Sequence, residues 1–121
     1  EKGLINKLQK ERIDIICLAG FMKIISKNFI KKFDGIILNI HPSLLPKYKG
    51  LNTHLRAINN KDRYSGCTVH LVNHTLDGGK IISQKKVKIL KKDTPKSLAS
   101  RILKQEHVLY SKTLNKILLN L

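Results

Sequence analysis

The chain has 121 residues, with 24 Lys or Arg against 8 Asp or Glu, for a formal net charge of +16. This length suits one domain with a real core and excludes two, and no apolar run approaches the roughly 20 residues that span a bilayer. The positive charge is nearly all Lys, spread along the chain beside abundant Ile and Asn, with three Tyr, three Phe and no Trp, so the clustered Arg forks and stacking aromatics of a dedicated nucleic-acid surface are missing.

Residues 1–12 carry Leu4, Ile5 and Leu8 at helical spacing. This polar helix pattern is no signal peptide, and a cytoplasmic protein is expected. The β-branched run 13–18 reads as a buried strand, and Ala19-Gly20-Phe21-Met22 as the turn at its carboxyl end. Ser26 suits the cap of a short helix over 27–32, and Asp34-Gly35 a turn. Ile36-Ile37-Leu38-Asn39-Ile40-His41 is the central strand; Pro42, without an N–H and with a fixed φ, stops it. Asn52 or Thr53 caps a helix running to about Asn60 with Leu55 and Ile58 inward, and 61–66 is a polar loop. From 67 to 72 the chain alternates, with Cys67, Val69 and Leu71 on one face and Thr68, His70 and Val72 on the other. A loop over 73–79 contains Asp77-Gly78-Gly79, a strand follows over 81–89, and Asp93 or Thr94 caps a last helix with Pro95 in its first turn. That helix runs through Leu98, Ile102 and Leu109 to about Leu118. The order α-β-α-β-α-β-β-α is an α/β layer fold, with a parallel β-α-β unit first and antiparallel pairing at the sheet's end. Cys17 and Cys67 sit in apolar strands and read as small buried hydrophobes. The five His lack ligand spacing, so no metal is expected.

Strand period two places Asn39 and His41 on one side at a strand's carboxyl end, where open α/β sheets bind ligands. The Asn39 amide can bond a developing oxyanion, and His41 can act as general acid or as its electrostatic partner. Asp77 can orient the imidazole. These groups fit acyl or formyl transfer. Ser43 follows a proline rather than sitting on a strand-to-helix elbow, so direct attack by an amine is expected in place of a covalent acyl-enzyme. Taken singly, Asp77-Gly78 is also an ordinary turn and His41 also a core histidine. A basic, non-catalytic nucleic-acid-binding remnant is the competing class.

Six collinear segments resemble the 10-formyltetrahydrofolate-dependent formyltransferase family: Leu18-Ala19-Gly20-Phe21-Met22; residues 38–48, Leu-Asn-Ile-His-Pro-Ser-Leu-Leu-Pro-Lys-Tyr; Gly50-Leu51 with Thr53-His54; Gly66 with Thr68-Val69-His70; Leu76-Asp77-Gly78-Gly79; and Gln105-Glu106-His107. The continuation Lys47-Tyr48-Lys49-Gly50 resembles the branch acting on glycinamide ribonucleotide more than the branch that formylates methionyl-tRNA. The resemblance implies a Rossmann-like formyltransferase fold, a mostly parallel sheet flanked by helices, in one domain over 1–121 that holds the catalytic and folate-binding portion. It implies that Asn39, His41 and Asp77 are catalytic, with His70 in support. It implies that Met22, Lys23, Ile24, Ile25, Asn39, Asn73, His74, Thr75, Leu76 and Asp77 line the site of the formyl donor, 10-formyltetrahydrofolate, and that Glu106 contacts glycinamide ribonucleotide. It implies no metal, no specific nucleic acid, no membrane, and a monomer or homodimer. Lys23 stands where Arg is common, Lys49 and Lys80 where Pro is common, and Leu103 where a polar residue is common. The family's first third, with its Gly-rich phosphate-binding turn, is expected to lie outside this chain.

Overall fold

Four of the six residues of β2 (Ile36–His41) are apolar, and every one from Ile37 onward is buried. A strand covered on both faces belongs inside a sheet. β1 (Ile15–Ala19) pairs with β2 in parallel, β3 (Tyr64–Leu71) pairs with it antiparallel, and β4 (Ile81–Lys88) adds to β3 antiparallel, giving the order β1-β2-β3-β4. Two helices complete the order, α1 (Thr53–Asn59) between β2 and β3 and α2 (Pro95–Leu119) after β4. The computed structural model describes residues 15–19, 33, 35–73 and 77–119. The expected helices over 1–12 and 27–32, the strand start at 13–14, the turn at 20–22 and Asp34 lie outside the described residues, as do the candidate site residues Met22, Lys23, Ile24, Ile25, His74, Thr75 and Leu76.

The α/β layer expected from the sequence is present. Its parallel pairing, among the described strands, is β1 with β2, and antiparallel pairing begins one strand earlier than expected. The cause is local. The loop after Pro42 stays pinned at the carboxyl end of β2, where the Thr68 hydroxyl donates to the Ser43 carbonyl at 2.7 Å and accepts from the Leu45 amide at 3.1 Å. The chain therefore re-enters the sheet from that end and β3 runs back along β2.

Side-chain alternation divides the two inner strands. Leu38, Ile40, Cys67 and Val69 face α2 and form the core with Leu98 and Ile102. Asn39, His41, Thr68 and His70 occupy the alternate positions and are all buried. The Tyr110 hydroxyl, on α2, lies 2.6 Å from the Leu18 carbonyl and 3.1 Å from that of Leu38, tying the helix to β1 and β2. α2 begins where the sequence places it. Ser97 N donates to Thr94 Oγ1 at 3.1 Å while Thr94 N donates to Ser97 Oγ at 2.9 Å, a reciprocal cap ahead of Pro95. Asp93 accepts from the Leu90 amide and the Ser97 hydroxyl and pairs with Arg101. β4 is an edge strand of the described sheet, and its exposed Lys85, Lys86 and Lys88 discourage further pairing.

Several expectations are corrected. Leu55 is exposed; α1 turns Thr53 and Ala57 inward instead, because residues four apart share a helix face and Leu55 lies opposite. Asn52 holds the N-cap position in left-handed backbone (φ 57°), and its side chain makes no capping bond. β3 starts at Tyr64 within the expected polar loop, since Tyr64, Ser65 and Gly66 already pair with Lys88, Val87 and Lys86. Cys17 is exposed, because it sits on the edge strand of the described sheet, while Cys67 is fully buried; both are free thiols.

Two outcomes follow for stability. Leu98→Ala removes a fully buried side chain from the core and should cost about 3 kcal/mol in urea unfolding. The Arg101 guanidinium beside Asp93 pulls its carboxyl down to about 2, below the roughly 3.9 of an unfolded chain. The ionised carboxylate therefore stabilises the fold fully above the unfolded value, and the contribution disappears as pH falls through the folded one. Asp93→Asn should lower the melting midpoint at neutral pH, and the gap from the parent should close below about pH 2, as circular dichroism melts across pH would record.

Candidate active site

The antiparallel register sets Asn39 opposite His70 and His41 opposite Thr68. The ladder shifts between Val69 and His70, the kind of irregularity that re-aims a side chain. His70 Nδ1 lies 2.9 Å from the Leu71 carbonyl, which accepts, so Nδ1 carries the proton. Nε2 is then an acceptor, and Asn39 Nδ2 donates to it at 3.3 Å. This fixes the Asn39 amide orientation: one N–H is committed to His70, and among the described residues Oδ1 is buried without a partner and the second N–H finds none.

Asp77 enters from the turn after β3. Its Oδ1 stands 3.4 Å from His41 Nδ1 and 3.8 Å from His70 Nε2, with all three side chains almost fully buried. Its Oδ2 accepts from the Gly50 amide at 2.9 Å. His41 Nε2 lies 2.8 Å from the Tyr48 carbonyl. Both ring nitrogens of His41 thus face oxygen acceptors, an arrangement satisfied at both ends by a ring carrying two N–H donors. Asp77 adopts left-handed backbone (φ 50°), which Asp tolerates. Gly79 lets its turn lie against β3: a Cβ there would meet the Leu71 carbonyl oxygen at 1.6 Å.

The structure therefore brings Asn39, His41, Asp77 and His70 together. Asn73 is half-buried just past β3. Glu106 sits on α2, its carboxyl pushed up by burial, and close enough to Cys67 that its charge helps burial push the Cys67 thiol up to about 12. Cys67 lies on the face α2 covers, opposite the side chains of Asn39 and His41. Ser43 is buried with its hydroxyl donating to the Lys47 carbonyl at 2.6 Å; it is not aimed at His41 as a nucleophile. No group of three His, Cys, Asp or Glu among the described residues could hold a metal ion, and no helix among them is long and apolar enough to cross a membrane.

Sequence reasoning missed two parts of the site. His54, in the first turn of α1, has a buried Nδ1 without a partner, and burial together with the nearby His41 holds its pKa down. The Tyr48 carbonyl and Gly50 amide act through backbone, in left-handed conformations at φ 56° and 85° that only the Gly suggests beforehand. A separate cavity of about 570 Å³, walled by Ile36, Ile82, Leu109 and Ile117, opens at the start of β2. Ser83, Lys112, Thr113 and Lys116 complete its wall, and it lies at the other end of the strand from His41.

Residues 1–114 match the family model described as formyl transferase. The chain is 50% identical over 103 residues to phosphoribosylglycinamide formyltransferase of Haemophilus influenzae, covering 85% of this chain and 49% of that protein. It is 44% identical over 110 residues to the Escherichia coli protein of the same name, covering 91% and 52%. The crystal structure of phosphoribosylglycinamide formyltransferase from Brucella melitensis superposes with a TM-score of 0.89 at 47% identity, over 96% of this chain and 59% of that one. The chain thus spans about half the length of these two curated relatives.

The two glycines of the site should respond differently to a methyl group. Gly79→Ala collides with backbone and should cost about 3 kcal/mol by the scale of overpacking. Gly50→Ala has nothing within 4 Å and a φ of 85°, so backbone strain alone should cost about 1 kcal/mol. Paired denaturant melts with equal m-values would check the ranking.

Proposed function

We propose that this chain, which belongs to the formyl transferase family, transfers a formyl group from 10-formyltetrahydrofolate to the amine of glycinamide ribonucleotide, a step of purine biosynthesis. The observation that carries the reading is the buried cluster at the carboxyl end of β2, in which Asp77 stands beside His41 and His70 aligns Asn39. The orphaned Oδ1 and the spare N–H of Asn39 fit a site that a polar ligand completes.

The donor brings a carbonyl carbon activated toward an amine. As the amine nitrogen bonds to that carbon, the carbonyl π electrons move onto oxygen. The Asn39 N–H not committed to His70 meets the charge that develops there, in a site already shielded from water, and the same oxygen displaces the Tyr48 carbonyl from His41 Nε2 so that this nitrogen donates to it as well. Asp77, whose Oδ1 stands 3.4 Å from His41 Nδ1, holds the ring plane. On collapse the bond to the folate nitrogen breaks, and that nitrogen takes up a proton as the ammonium formed in the attack gives one up. Neither Ser43, engaged with carbonyls, nor Cys67, buried with a raised thiol, offers a covalent route. The resemblance assigns Asn73 to the folate and Glu106 to the ribonucleotide, although the Glu106 charge acts on Cys67 on the α2 side of the sheet.

Asp77→Asn keeps the volume and an acceptor for Gly50 but removes the charge beside His41. Formyl transfer should fall by about 10³-fold, in the range of lost acid–base catalysis, with the melting midpoint nearly unchanged. Calorimetric titration with a non-transferring 10-formyltetrahydrofolate analogue should show binding to the parent chain. A variant that retains full transfer would remove Asp77 from the mechanism.

A further inference from the structure

The loop after β2 touches both partners of the His41–Asp77 pair through backbone groups two residues apart: the Tyr48 carbonyl takes His41 Nε2 and the Gly50 amide donates to Asp77 Oδ2. One side chain on α1 braces the loop around Gly50, where the sheet residues Thr68 and Gln84 do not reach. Arg56 Nη1 donates to the Lys49 carbonyl at 2.6 Å and to the Leu51 carbonyl at 3.1 Å, on either side of Gly50. The Lys49 carbonyl and the Gly50 N–H are the two ends of a single peptide group. In a planar trans peptide they point in opposite directions, so Arg56 grips one end of the unit whose other end grips Asp77. A cation on the carbonyl also polarises the N–H and strengthens its bond to the carboxylate. The same guanidinium lies 5.1 Å from the Tyr48 ring centroid, and the far end of that ring is fixed by Asp62, which accepts from the hydroxyl at 2.6 Å, and by Asn60, which donates to it at 3.0 Å.

We propose that Arg56 is a positioning residue for the His41–Asp77 pair, acting through the backbone of residues 48–51. The role rests on the formyl-transfer reading for its purpose, but its geometry can be tested without catalysis. In Arg56→Met, nuclear magnetic resonance should show the Gly50 amide exchanging at least about tenfold faster and the His41 imidazole N–H signal displaced, while core amides near Leu98 and the melting midpoint stay close to the parent. Arg56→Lys, which keeps the charge and loses the fork, should fall between the two. In the assay, kcat should drop about tenfold with KM for the formyl donor within about twofold. Gly50 and His41 signals that coincide with the parent's in Arg56→Met would overturn the proposal, and so would displaced signals with an unchanged kcat. A parent chain that transfers no formyl group would count against the proposed reaction instead, leaving the resonance comparison to decide the positioning role.

Discussion

The pairing register between β2 and β3 is the constraint on which the site depends. It places Asn39 against His70 and His41 against Thr68 while leaving Leu38, Ile40, Cys67 and Val69 for the core. A slip of β3 by one residue would turn Thr68 and His70 toward α2 and Cys67 and Val69 away from it. Such a slip would strand an imidazole and a hydroxyl among Leu98 and Ile102, which no local adjustment could repair. Burial of the core and assembly of the site are therefore one event, and the fold cannot relax its specification of the chemistry without losing its hydrophobic seam.

Three titratable groups in a nearly dry space are expensive unless each finds a partner. Here the partners are mostly backbone. The Leu71 carbonyl sets the tautomer of His70, the Tyr48 carbonyl holds His41, and the Gly50 amide holds Asp77. Backbone groups carry no side-chain entropy, so once the loop is fixed their dipoles are already oriented when charge appears. The loop in turn leans on Thr68 and Gln84 from the sheet on one side and on Arg56 from α1 on the other. Among the described residues, two buried atoms stay open, Asn39 Oδ1 and His54 Nδ1. Such unspent hydrogen-bonding capacity is what a polar ligand can satisfy.

The strands were legible because apolar alternation and Pro42 mark them, and α2 because Thr94-Pro95 announces its start. Asn39 and His41 were legible as a pair for the same reason: period two puts them on one side. Leu55 misled because α1 has seven residues, too few turns for periodicity to separate its inner face from its outer one. Cys17 misled because its neighbours are as apolar as those of a central strand, and position in a sheet is a tertiary fact. The contacts made by Tyr48 and Gly50 were invisible because they belong to backbone atoms, whose direction depends on φ values that a Tyr in left-handed conformation does not advertise. Arg56 likewise looked like one more surface cation until its two carbonyl acceptors were in place.

The hydroxyl of Tyr110 that ties α2 to both β1 and β2 has an optical consequence. The chain has three tyrosines and no tryptophan to mask them. Tyr48 reports the loop beside His41, Tyr64 stands exposed at the start of β3, and Tyr110 lies between helix and sheet with its phenol pushed up by burial. Ionising Tyr110 would require its contact with the Leu18 carbonyl to break. A Tyr110 phenol that ionises like an exposed one would therefore signal that β1 has come away from α2.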